Sequence, residues 1–173
     1  MSPMSIVRDA RELREEFDRG FAARPEAIAR TSVDLIALRL AGEPYAIEMA
    51  DIAAINIDST VTAVPSPLPE FLGVASLRGE VTPVYDLGLL LGLGPAAGRW
   101  LVLDASRTFA FGFSDFAGHL RVDTAELSAR DLAGDDRLSQ IVHAAGTAWP
   151  VISISSLRDS LEQRVLRTIS RKE

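Results

Sequence analysis

Two stretches of the chain recur in one order and at nearly one spacing. Tyr45-Ala46-Ile47-Glu48-Met49-Ala50-Asp51-Ile52 has a counterpart 64 residues on, in Phe109-Ala110-Phe111-Gly112-Phe113-Ser114-Asp115-Phe116. Gly79-Glu80-Val81-Thr82-Pro83-Val84-Tyr85-Asp86-Leu87 has one 67 residues on, in Gly146-Thr147-Ala148-Trp149-Pro150-Val151-Ile152-Ser153-Ile154. A doubled pattern of this kind implies two related lobes. Short strands in lobes of this size avoid exposed edges by closing into small barrels.

The second motif carries its own structural logic. Gly79 and Gly146 suit turns that need positive φ. Pro83 and Pro150 lack an N–H and belong at a strand edge or strand start. Asp86 is placed to N-cap a helical turn over Leu87–Leu91, with Gly92 as its stop. Ser153 replaces Asp86 in the second copy, keeping a capping side chain without the charge.

Alternation locates the strands. Asp34–Leu40 and Tyr45–Met49 read as strands joined by a turn at Ala41-Gly42-Glu43-Pro44. Asp51–Ile55 is expected to make one helical turn, followed by a strand from Ile57 to Val64. Pro65, Pro67 and Pro69 then impose an extended connector. A closing helix over Ser156–Ile169 places Leu157, Leu161, Val165 and Ile169 on one face. Near the N-terminus, Ile6, Ala10, Leu13, Phe17 and Phe21 form an amphipathic helical stripe over residues 6–24. It serves either the protein's own core or a partner.

At 173 residues, with 47% hydrophobic and 24% charged residues, the chain suits one globular domain of two lobes. The absence of cysteine removes disulfides, thiolate catalysis and cysteine zinc sites, and fits a reducing compartment. With two histidines, a histidine-rich metal site is excluded. No secretory leader pattern opens the chain. Its most apolar window, Val84–Ala97, is too short to span a bilayer. Residues 31–156 carry 7 bases against 15 acids, which disfavours nucleic acid and anionic lipid. Between Arg39 and Arg99 the one cation is Arg78.

Signatures of catalysis fail on spacing. Gly92-Leu93-Gly94-Pro95-Ala96-Ala97-Gly98 has its last glycine one place late for a dinucleotide loop, and reads as a turn between lobes. No phosphate-loop lysine, nucleophile elbow or triad spacing stands out. Arg78 is the residue singled out. It forms either a surface ion pair with Glu70 or Glu80, or a reader of a partner's carboxylate or carbonyl.

Residues from about Val33 to Leu161 resemble the CheW-like adaptors of bacterial chemotaxis. The resemblance rests on Tyr45-Ala46-Ile47, on Ile52 and Ile55, and on Val61, Pro65, Pro67, Phe71 and Gly73-Val74. It continues through Leu77-Arg78-Gly79, Pro83-Val84, Asp86-Leu87 and Leu91-Gly92-Leu93. It implies a mainly β fold of two intertwined five-stranded, Src-homology-3-like barrels around a shared apolar seam. An N-terminal helix and linker (residues 1–31) and a C-terminal helix are added. The CheW-like domain would cover 32–165, with lobe one at about 33–98, lobe two at about 99–160, and 166–173 as helix end and tail.

The activity implied is not enzymatic and uses no cofactor or metal. It is the coupling of methyl-accepting chemoreceptors to a CheA-type histidine kinase by non-covalent scaffolding. The setting would be the cytoplasm, at membrane-associated receptor arrays and without membrane insertion. By the resemblance, the receptor-binding groove would hold Ile52, Ala54, Ile55, Gly73, Leu77 and Arg78. The kinase would meet barrel ends that the sequence does not locate, and other CheW-like domains are further candidate partners. Ala54 stands where the family often has an acid, and Ser76 where it has asparagine. Two alternatives follow: an accessory or inhibitory kinase binder without receptor coupling, and a small β-barrel enzyme or ligand sensor.

Overall fold

The computed structural model describes residues 32–128 and 136–170. The amphipathic stripe of residues 6–24 lies outside the described residues.

Among the described residues twelve strands form two six-stranded sheets. β1 (Ser32–Leu40) and β2 (Glu43–Glu48) make a hairpin, and β3 (Ile52–Ile57) and β4 (Val61–Thr62) follow. β5 (Phe71–Leu77) and β6 (Glu80–Asp86) lead into the short helix α1 (Leu87–Leu90). A second hairpin, β7 (Trp100–Asp104) and β8 (Ala110–Phe113), precedes β9 (Asp115–Asp123) and β10 (Leu127–Ser128). β11 (Leu138–Ala144), β12 (Thr147–Ile152) and helix α2 (Ile154–Ser170) complete the chain as described.

The repeat is visible in the pairing, with an exchange the sequence does not show. One sheet runs β10-β11-β12-β2-β1-β9 and the other β4-β5-β6-β8-β7-β3. The two orders correspond strand for strand, but each sheet takes its opening hairpin from one copy and its other four strands from the second. Parallel pairing marks both joins: Val151 opposite Ala46, and Val84 opposite Ala110. Pro150 and Pro83 each sit one residue before that pairing starts, where no N–H is needed on that side. The sheets have six strands rather than the five implied by the resemblance, because the two-residue β4 and β10 are paired to them. The loop 92–98 joins the sequence copies but links α1 to β7 within one sheet.

Alternation along the strands feeds three cores. Leu35, Ala37, Ala46, Val142, Trp149 and Val151 fill the interior of one sheet. Ala75, Leu77, Val84, Leu101, Leu103 and Ala110 fill that of the other. A sheet can keep a core to itself only by curling around it. The opposite faces send Leu38, Leu40, Ile47, Tyr85, Val102, Phe111 and Ile152 into a shared seam. There they pack with Leu157 and Leu161 of α2.

Turns and caps follow local chemistry. Gly79 and Gly146 have φ of 85° and 76°. Asp86 Oδ1 accepts from the Leu89 N–H at 3.0 Å, and Ser153 Oγ from the Ser156 N–H at 3.3 Å. After α1 the Gly92 N–H donates to the Leu89 carbonyl and the Leu93 N–H to that of Gly88, a Schellman closure. Two expectations need correcting. The helical turn falls at Met49–Asp51, not Asp51–Ile55, because Ile52, Ile55 and Ile57 are β-branched and pair with β7. The strand expected over Ile57–Val64 breaks at Asp58, whose φ of 53° ends β3. Asp58 is held there by a 2.8 Å bond from its N–H to the Arg99 carbonyl and an ion pair to the Arg99 guanidinium.

Candidate functional site

β5 and β6 are closed by the pair Leu77–Glu80, leaving Arg78 and Gly79 as a two-residue turn. Their φ values of 52° and 85° are those of a type I′ turn, whose twist matches the strands it joins. Arginine is uncommon at such a φ. Arg78 is exposed there and has no hydrogen-bond or ion-pair partner among the described residues. The ion pair with Glu70 or Glu80 considered from sequence is not formed. Glu70 is buried and pairs instead with Arg164 of α2, beside Tyr85, while Glu80 is exposed. Burial first, and then the Glu70 charge, push the Tyr85 phenol above its usual range.

The other sequence-derived site residues divide by burial. Ile52, Ala54 and Ile55 lie half-buried on β3, the outermost strand of its sheet. Ile52 and Ile55 pack against the seam, and Ala54 against the cluster that contains Leu77. Leu77 is 3% exposed and lies in the barrel interior. Gly73 is buried, with φ of 136°, and a Cβ there would sit 2.0 Å from the Thr62 carbonyl oxygen. Its lack of a side chain lets β4 approach. Of these residues, Ile52, Ala54, Ile55 and Arg78 reach the surface, whereas Leu77 and Gly73 are buried.

Buried carboxylates hold the surrounding loops. Asp86, 2% exposed, caps α1 and also accepts from the Ala96 and Ala97 N–H groups at 2.9–3.1 Å. Asp104, 1% exposed, accepts from the Ser106, Thr108 and Phe109 N–H groups and the Ser106 hydroxyl. Asp104 is opposite Ile52, and the Ala105 N–H donates to the Asp51 carbonyl at 2.9 Å, so this turn fixes the start of β3. Glu48 and Asp51 flank the same start. Burial and then the charge of Asp51 raise the Glu48 pKa, against a 2.8 Å hydrogen bond from Gln140. Burial raises Asp51, and Arg158 of α2 opposes it.

Sequence reasoning passed over Asp104, Val81 and Arg107. Val81 is 75% exposed beside Arg78. Its outward position was available from alternation, since Thr82 and Val84 face inward. Ser106 and Thr108 after Asp104 are the usual signal of a side-chain-capped turn. Among the described residues no cluster of three or more metal-ligating side chains forms, and no helix is long and apolar enough to cross a membrane.

The sequence profile of the CheW-like domain matches residues 34–162. Curated relatives include a "Probable chemotaxis protein CheW" of Rhizobium etli, 35% identical over 63 residues, or 36% of this chain and 41% of that one. The "Chemotaxis protein CheW" of Bacillus subtilis is 31% identical over 96 residues, covering 56% of this chain and 59% of the relative. Both matches thus span less than two thirds of the relative's length. Among solved structures, scaffolding protein TtCheW from Thermoanaerobacter tengcongensis superposes with a TM-score of 0.66 at 17% identity, over 73% of this chain and 92% of that one. This likeness bears on the fold.

Proposed function

The chain belongs to the CheW-like domain family, and on that premise we propose that it is a chemosensory scaffold. It couples methyl-accepting chemoreceptors to a CheA-type histidine kinase through non-covalent contacts, without bond-making chemistry of its own. The observation that carries the proposal is Arg78: exposed, without a side-chain partner among the described residues, and held at a left-handed turn at one end of a doubled, hairpin-exchanged barrel. An arginine in that state is free to form a forked contact with a partner carboxylate or carbonyl. Ile52, Ala54 and Ile55, each only half-buried on the edge strand β3, supply the apolar part of the receptor-facing surface. Gly73 and Leu77 support it from below. The kinase engages exposed ends of the barrels, and the place of action is the receptor array at the cytoplasmic side of the membrane.

Coupling then needs no internal switch in the adaptor. A receptor state that favours one geometry of the adaptor–kinase pair shifts the kinase toward it, by the difference in binding free energy between the states. The test is Arg78→Glu, with receptor-tip fragments and kinase offered separately and a circular dichroism melt alongside. Receptor binding is expected to weaken by about tenfold or more with the melt unchanged. Intact receptor binding in a folded variant would refute the role of Arg78. Kinase binding by a wild-type chain that ignores receptors would replace coupling with the accessory role.

A further inference from the structure

Six arginines are described between residues 32 and 156. Arg39 bonds the Gly42 carbonyl, Arg99 the Asp58 carboxylate, Arg121 Asp34 and Ser32, and Arg137 the Leu90 carbonyl. Of these six, Arg78 and Arg107 are the two whose guanidinium groups have no partner among the described residues. Both are exposed, and both occupy turn positions of positive φ, 52° and 60°.

Topology puts these two turns at one end of one sheet. The Arg78 turn immediately precedes β6, and the turn containing Arg107 immediately precedes β8. β6 and β8 are parallel and adjacent, in register at Val84 and Ala110. β3 begins at that same end, because Ile52 lies opposite Asp104 at the close of β7. β8 begins opposite Val84, so among the described residues no strand pairs with residues 80–83 of β6 on the side away from β5. The turn 105–108 stands at the near end of that stretch and folds back onto β7, the Asp104 N–H donating to the Phe109 carbonyl at 3.0 Å. Val81, on this stretch, is 75% exposed. Pro83 has no N–H to offer at this open edge, which makes it a poor template for strand addition. An occupant must therefore dock by side chains.

We propose that Arg107 is a second anion-reading residue of the Arg78 docking end, and that the receptor-tip segment seated there carries carboxylates that meet both guanidinium groups while apolar atoms cover Val81. The inference rests on the reading of Arg78 as a receptor-docking residue. Charge complementarity selects the occupant. The surrounding body has 15 acids to 7 bases and repels long polyanions, whereas a short acidic protein segment can be confined to the end where Arg78 and Arg107 stand. Glu80, exposed on the same arm, forms no ion pair with either arginine among the described residues. Asp104, at the foot of the Arg107 turn, is engaged by backbone N–H groups.

The experiment is titration of purified cytoplasmic receptor fragment into the full chain, at low salt and at high salt, with a circular dichroism melt of each variant. Arg107→Glu should weaken binding by about tenfold at low salt, and most of that loss should vanish at about 0.5 M salt, as for an exposed charge contact. Arg107→Gly should show the same direction, and glycine tolerates a φ of 60°, so the fold is preserved. Arg167→Glu, the same charge change at an exposed position of α2 whose guanidinium has no partner among the described residues, should stay within about twofold. Arg107 variants that bind like wild type while Arg78→Glu is weakened would overturn this inference and leave the proposed function standing. Unchanged binding for Arg78→Glu as well would remove both. An Arg167→Glu loss equal to that of Arg107→Glu would overturn the inference by showing a net-charge effect.

Discussion

Asp86→Ser would give the first copy of the repeat the cap that Ser153 already provides in the second. A serine there can keep the bond from the Leu89 N–H, which Asp86 accepts at 3.0 Å. It cannot span to the loop, where the Ala96 and Ala97 N–H groups now donate to the carboxylate at 2.9–3.1 Å. Ala96 is 6% exposed, so its N–H would be left unpaired in the interior, at a cost of about 1–3 kcal/mol. Ala97 is exposed and water can take over its N–H, leaving a loss of about 1 kcal/mol there. Asp86→Ser is therefore expected to lose about 3 kcal/mol, and Asp86→Ala about 1 kcal/mol more for the missing cap. With a urea slope of about 2 kcal/mol per molar, the unfolding midpoint falls by about 1.5 M for serine and about 2 M for alanine. Urea titration followed by circular dichroism gives both numbers. A serine variant within about 0.5 kcal/mol of wild type would show that the carboxylate does not tether the loop. Equal losses for serine and alanine would show that it does not cap α1.

Two further outcomes follow from single positions. Gly73→Ala drives a Cβ to 2.0 Å from the Thr62 carbonyl oxygen at a φ of 136°, so it should cost more than about 2 kcal/mol and detach β4. Gly79→Ala, with nothing within 4 Å, should cost only the backbone strain, about 1 kcal/mol; thermal melts that rank the two equally would refute the close-approach argument. Glu48 and Asp51 both have folded pKa values above their ordinary ones, so the folded state binds more protons than the unfolded state between those values. Their contribution is most favourable below the usual carboxylate range and declines as pH rises through the raised values. Glu48→Gln should flatten that decline in urea-derived stability across the mildly acidic range, whereas an unchanged slope would discount the effect of burial on Glu48.

Much of the architecture was legible because it is local. The Arg78-Gly79 turn, the Asp86 and Ser153 caps, the Schellman closure at Gly92 and the inward alternation of β1 and β2 each depend on residues a few places apart. The repeat was legible too, since it is written in residue type. The boundaries that failed did so for a tertiary reason. Asp51–Ile55 resembles a helical turn until β7 lies beside it, and Ile57–Val64 resembles a strand until Arg99 captures Asp58. In the candidate site, the Arg78 turn was foreseen. The burial of Leu77 and Gly73 was not, because it depends on β4 and on which face of β5 turns inward.

The residue pattern by itself determined that this chain would build two like units from short strands, each ending in a capped helix, with a lone arginine at a turn. Only tertiary structure decided that the opening hairpins trade places, so that Ala46 pairs with Val151 and Ala110 with Val84. Period-two strands state which side chains face inward but not which strand will be the neighbour. That choice is made by shape and burial across a seam between residues far apart in the chain. The same register brings the turns of Arg78 and Arg107 to one end, a juxtaposition that no local spacing encodes.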